Sequence, residues 1–306
     1  MLKIDPQVID WLLEDENPSV QYRALTELLD RPPGDPQAQQ ARAQIPTSKP
    51  VRRIFSKMHP DGYWLYRGKG DDVDYAMSSS THFVLAFLAE LGLDRGDDRV
   101  SMAAERYLAL DPPDFHTHQS CLYAYNLRTF VMLGYGDDPR VRHRAEVLVA
   151  DDRWDGGYLC DRSTFSAKTK SCIRGSVKAL TAFAALPELW DSERCQKLVS
   201  YFLKRRVFYR MTEPDQIIRD ELVATIFPFG IPGSLLETLL ALSVMGYGQH
   251  EALSDAWRRL AAKKDEAGRY ILDWYPPSYF TPGKKGAVNK WVTLYAYLAL
   301  KHSGRE

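Results

Sequence analysis

Three cysteines fall where helix starts converge. Counting back from the helix-ending residues Gly134 and Pro187, Cys121 lies 13 residues upstream and Cys172 lies 15, nearly the same level. Cys160 is on the loop that feeds the Cys172 helix. Helix N-termini favour thiolates, and zinc takes tetrahedral Cys/His ligation. Cys121, Cys160 and Cys172 therefore form a candidate zinc site, with His82, His118 or Asp161 as fourth ligand. The competing reading is that each thiol is a small buried hydrophobe.

The acidic segment Asp71-Asp72-Val73-Asp74 precedes an apolar helix. Its carboxylates suit a general acid or a diphosphate held through magnesium; equally, such a loop is solvated and caps the helix that follows. Asp74 is nearest the helix entrance, so Asp72, Asp74 and the later Asp161 make up the candidate catalytic set. Trp64, Tyr66, Tyr158, Trp274 and Trp291 sit in loops or at helix starts. A cavity lined by them would stabilise a carbocation through its π faces or stack a sugar; alternatively they fill the centre of the fold. Arg174, just after Cys172, suits a phosphate or carboxylate, and His118 is the histidine of its loop placed to point inward.

The elements that must position these residues are helices. Val51–Met58, Thr81–Leu91, Arg99–Leu108, Cys121–Leu133, Arg140–Val149, Cys172–Leu186, Glu193–Val207, Leu235–Met245, His250–Ala262 and Trp291–Lys301 alternate between charged and strongly apolar. That alternation predicts solvated outer helices around buried inner ones. A glycine–aromatic loop recurs between them, as Asp61-Gly62-Tyr63-Trp64, Asp155-Gly156-Gly157-Tyr158 and Gly268-Arg269-Tyr270, the mark of a repeat protein. The expected fold is all-α, an α/α toroid of about five inner/outer hairpins, favoured over an open HEAT-like solenoid. Residues 1–50 read as a helical extension and linker packed on the toroid, and residues 51–306 as the toroid itself.

The strings Asp155-Gly156-Gly157-Tyr158, Ser171-Cys172-Ile173-Arg174-Gly175 and Leu133-Gly134-Tyr135-Gly136-Asp137-Asp138-Pro139 resemble the prenyltransferase/squalene-cyclase repeat. The resemblance covers about residues 50 to 303 and looks like a short bacterial branch of that superfamily. It implies a toroid with a central cavity, and a small-molecule ligand such as an isoprenoid. The catalytic strings of the characterised branches are altered. Asp71-Asp72-Val73-Asp74 is not the cyclase Asp-x-Asp-Asp, and Lys170 stands where the zinc-binding aspartate of the protein prenyltransferases precedes Cys172. A carbohydrate-active α/α-barrel hydrolase or lyase and a non-catalytic binding scaffold are the alternatives. Lys and Arg balance Asp and Glu at 40 each, so no overall field recruits nucleic acid or an anionic membrane. No run approaches the length of a membrane span. The opening residues lack a basic-then-apolar leader, and the expectation is a cytoplasmic monomer or homodimer.

Overall fold

Four helices begin at an Asx–Pro step. Asp5, Asn17, Asp35 and Asp138 each accept a backbone N–H through the side chain, and Pro6, Pro18, Pro36 and Pro139 follow. A proline there lacks only an N–H that has no helical partner anyway, and its ring presets φ. The computed structural model describes residues 3–32, 34–65, 79–110, 120–159, 168–230 and 232–305. Its α-helices are, in chain order, α1 (Pro6–Leu12), α2 (Pro18–Arg23), α3 (Pro36–Gln44), α4 (Lys49–Phe55), α5 (Thr81–Glu90), α6 (Asp98–Ala109) and α7 (Ser120–Phe130). They continue as α8 (Pro139–Ala150), α9 (Ile173–Ala184), α10 (Glu193–Lys204), α11 (Leu235–Val244), α12 (Ser254–Ala261) and α13 (Lys290–Ser303). A π turn, Ala24–Leu28, extends α2. Among the described residues there are no strands, only isolated bridges such as Ile226 with Trp274.

The two-layer pattern of the sequence is present in space. Every residue of α5 is buried, as is nearly all of α13, whereas α6, α10 and α12 bury a single stripe. Inner helices pack in the order α5, α7, α9, α11, α13, and α13 then packs on α2 and its π turn. Arg23 of α2 binds both Tyr295 on α13 and Glu90 on α5, so the N-terminal helices stand at the seam between the first and last inner helices. Each inner helix packs on the outer helix that follows it: α5 on α6, α7 on α8, α9 on α10, α11 on α12. The order of helices along the chain would equally allow each outer helix to pair with the inner helix after it. The short glycine turn decides between the two, since a brief connection makes antiparallel neighbours.

The recurring glycine–aromatic loop is a staple between an outer helix and the next inner one. The backbone N–H of Trp64 donates to Thr81 Oγ1 on α5 (2.9 Å), that of Tyr158 to Ser176 Oγ on α9 (3.0 Å), and that of Tyr270 to Thr293 Oγ1 on α13 (2.8 Å). The side chains hold the other end: Trp64 Nε1 donates to the Ile54 carbonyl of α4 (2.9 Å) and the Tyr158 hydroxyl to the Leu148 carbonyl of α8 (2.6 Å). Gly156 has φ +79°, and a Cβ there would lie 2.9 Å from the Lys197 carbonyl oxygen, so only glycine fits the turn. Gly62 and Gly268 share that left-handed backbone.

Candidate functional site

The inner helices enclose a lumen, and its N-terminal half is filled by the protein itself. The segment Thr225–Gly230 enters it, anchored where Asp273 accepts from the Thr225 N–H (2.9 Å) and hydroxyl (3.0 Å). Phe227 stacks on Trp291 at 4.5 Å and 12°, Phe229 meets Tyr295 at 4.6 Å, and Phe280 stacks on Phe87 at 5.1 Å. Among the described residues, Phe83, Tyr125 and Phe229 line a cavity of about 20 Å³, room for one water molecule.

Below this aromatic stack the lumen turns polar. Glu90, 2% exposed, takes Arg128 at 2.6 Å, Arg23 at 3.0 Å and the Tyr295 hydroxyl. Glu237, 4% exposed, is paired with buried Lys178. Glu27 holds Arg23 bidentately at 2.6 and 2.8 Å. Burial opposes the charge on Arg23, but Glu27 and Glu90 outweigh it and the guanidinium is held above its ordinary range. Tyr125 donates to the Phe229 carbonyl (2.9 Å); burial, reinforced by the charge of Glu237, raises its phenol, which stays protonated. Arg23, Glu27, Arg128, Thr181, Phe229 and Glu237 line a cavity of about 290 Å³, walled on the other side by Met132, Leu240 and Val244. That volume suits a ligand of roughly one ring at the lower end of small-molecule sites. Two cations and two carboxylates line it, so it offers donors and acceptors to a neutral polar ligand.

None of these charges was singled out from the sequence, although a signal was present. Phe83, Tyr125, Lys178, Glu237 and Tyr295 each stand nine residues before the residue that ends their inner helix: Gly92, Gly134, Pro187, Gly246 and Gly304. One register thus points five consecutive inner helices at the lumen.

Of the expected site residues, Trp64 and Tyr158 are fully buried and tied to outer-helix carbonyls. Both side chains pack between their loop and the outer helix before it. Trp291 does lie in the lumen, but Phe227 covers its face. Trp274 is half-buried, with Lys285 Nζ 5.8 Å from its ring, and Arg174 is engaged by Glu221. Tyr66, Asp72, Asp74, His118, Cys160 and Asp161 lie outside the described residues, as does the side chain of Cys121. Cys172 is half-buried at the start of α9, and its N–H donates to the Tyr158 carbonyl (2.7 Å). Among the described residues no group of three metal-ligating side chains converges. His82 is buried against Phe83, with ring centroids 4.3 Å apart.

Burial pushes the His82 imidazole from 6.5 down to about 3. The folded state therefore keeps it neutral while the unfolded chain takes up a proton below about pH 6.5. Stability is lost as pH falls from there toward 3, by about 2 kcal/mol at pH 5. Half-buried His302 is shifted in the same direction by burial and by Lys301. Urea unfolding at pH 7 and pH 5 should show the wild type losing about 2 kcal/mol more than His82→Leu. Equal losses would show that His82 is not the group responsible.

No protein-family model matches the chain, and no curated protein sequence matches it. Among solved structures it is similar to a glycosyl hydrolase of family 88 from Bacteroides vulgatus, with a TM-score of 0.53 over 94% of this chain and 90% of that one. The chain is an α/α toroid. At 13% sequence identity the likeness establishes that architecture and leaves the reaction to the residues of the site. No helix among the described residues is long and apolar enough to cross a membrane.

Proposed function

We propose that this toroid is a carbohydrate-active hydrolase working in the polar half of its lumen. The observation that carries the reading is the pair Glu237 and Glu27, two carboxylates that line one cavity together with Arg128 and Thr181. Glycoside cleavage uses two carboxylates flanking the scissile bond. Glu237, held by Lys178, accepts a proton from the attacking water as the water oxygen bonds to the anomeric carbon. Glu27, 41% exposed at its side chain, delivers a proton to the departing glycosidic oxygen. That role requires its ion pair with Arg23 to open when a sugar binds. Arg128 and Thr181 supply hydrogen bonds to hydroxyls, and Phe229 supplies a ring face. The similarity to a glycosyl hydrolase supports this reading. The aromatic stack weighs against an isoprenoid in the lumen, because Phe227 and Phe229 occupy the space such a chain would need.

The test is release of reducing ends from neutral oligosaccharides, with ultraviolet absorbance of unsaturated products monitored to separate a lyase. Glu237→Gln should lower kcat by about 10²–10⁴-fold while the far-UV spectrum stays helical. Wild-type protein that cleaves none of the oligosaccharides, or a Glu237→Gln variant as active as wild type, would sink the reading.

A further inference from the structure

We propose that the outer surface carries a second saccharide-binding site, built on Trp154 and remote from the lumen. Trp154 is the most exposed large apolar side chain among the described residues, at 64%. The loop that bears it is fixed from three sides. Beneath it, buried Arg194 donates to the carbonyls of Asp151 (2.5 Å), Gly156 (3.0 Å) and Gly157 (2.6 Å), its guanidinium 3.8 Å from the centre of the Tyr158 ring. Beside it, Asp155 accepts from the Ser171 N–H (2.9 Å) and hydroxyl (2.5 Å). Arg153 adds a bond to Ser171 Oγ (3.2 Å), and the Trp154 indole N–H donates to the Thr169 carbonyl (3.3 Å). An indole face held out to water by so much hydrogen bonding is a preformed platform, so ordering it on binding costs little.

The groove next to this platform has a volume of about 540 Å³. Asp152, Glu193, Gln196 and Lys197 line it, with Lys197 bridging Asp152 (2.9 Å) and Glu193 (3.1 Å). Acceptors and donors are thus interleaved beside one flat aromatic face. A pyranose matches that combination, since its C–H face stacks on a ring while its equatorial hydroxyls both donate and accept. A hydrophobic partner would want a continuous apolar patch, and a polyanion would want one sign of charge. The groove has neither. The site goes beyond the luminal reading and does not depend on catalysis.

Affinity electrophoresis of the intact protein through gels containing soluble starch, xylan, barley β-glucan or polygalacturonate tests it. At least one neutral polysaccharide should retard the protein. Trp154→Ala should weaken that retardation about tenfold, and Trp154→Tyr should restore part of it. Retardation is read as mobility relative to a gel without polysaccharide, and its loss in Trp154→Ala is independent of cleavage, so a failure of the luminal reading leaves this test untouched. The proposal is overturned if no neutral polysaccharide retards the protein, if Trp154→Ala is retarded equally, or if only polygalacturonate binds and salt abolishes it.

Discussion

Glu90→Gln should lower the unfolding free energy by about 3–5 kcal/mol, the cost of breaking a buried ion pair by removing one partner. Glu90 sits among Arg23, Arg128 and the Tyr295 hydroxyl, with the carboxylate out of reach of water. Neutralising it leaves two guanidinium groups facing each other across the seam where α2 meets α5 and α13. Arg23 keeps Glu27, but Arg128 loses the ion-pair partner it has at 2.6 Å. For a chain of 306 residues, that loss corresponds to about 5–8 °C in the thermal midpoint. Calorimetry of the purified variant measures it. The double variant Arg128→Met/Glu90→Gln should recover part of the loss, because the desolvated charge goes with the side chain that carried it. An unchanged midpoint for Glu90→Gln would mean that water reaches the cluster and that the seam is held by packing alone.

Trp291→Ala should be comparably destabilising, by about 3–5 kcal/mol, the range for removing a buried aromatic from a close-packed core. The indole is 1% exposed, stacked on Phe227 at 4.5 Å and near Tyr295 at 6.4 Å. Its removal leaves Phe227 without a face to lie on, and the Thr225–Gly230 segment loses its deepest anchor. This outcome separates two roles for the same residue. A tryptophan that lined an open ligand cavity would be dispensable for folding, and its removal would leave the denaturant midpoint within about 0.5 kcal/mol of wild type. A large drop in midpoint at unchanged m-value, read by urea titration, shows that Trp291 fills the lumen.

The glycine–aromatic loops show how far residue types alone reach. They recur because three connections solve one mechanical problem: crossing from the end of an outer helix to the start of an inner one in a tight left-handed turn. Sequence reveals the recurrence, since glycine at positive φ and a large ring two residues on are type constraints. It does not reveal which way the ring points. Trp64 and Tyr158 read as cavity lining, yet both reach to the outer helices, because a buried indole N–H or phenol needs an acceptor and finds it in the carbonyls of Ile54 and Leu148 near the helix ends. The pairing of helices is hidden in the sequence for a related reason. Sequence order is symmetric between an outer helix and the inner helices on either side of it; the short turn after each inner helix breaks the symmetry.

What the sequence by itself determined is the class and layering of the fold. Apolar periodicity distinguishes buried from solvated helices, and Asx–Pro and glycine signals place their ends, because these depend on local chain physics. Only the tertiary structure decided what the lumen contains. Arg23 is separated by 67 residues from Glu90 and by 272 from Tyr295, and no local pattern ties them together. A buried charge is tolerated only where its counterion is brought to it, so its meaning emerges when the ring closes. The same closure puts Phe227 on Trp291 and leaves Glu237 and Glu27 facing one small cavity.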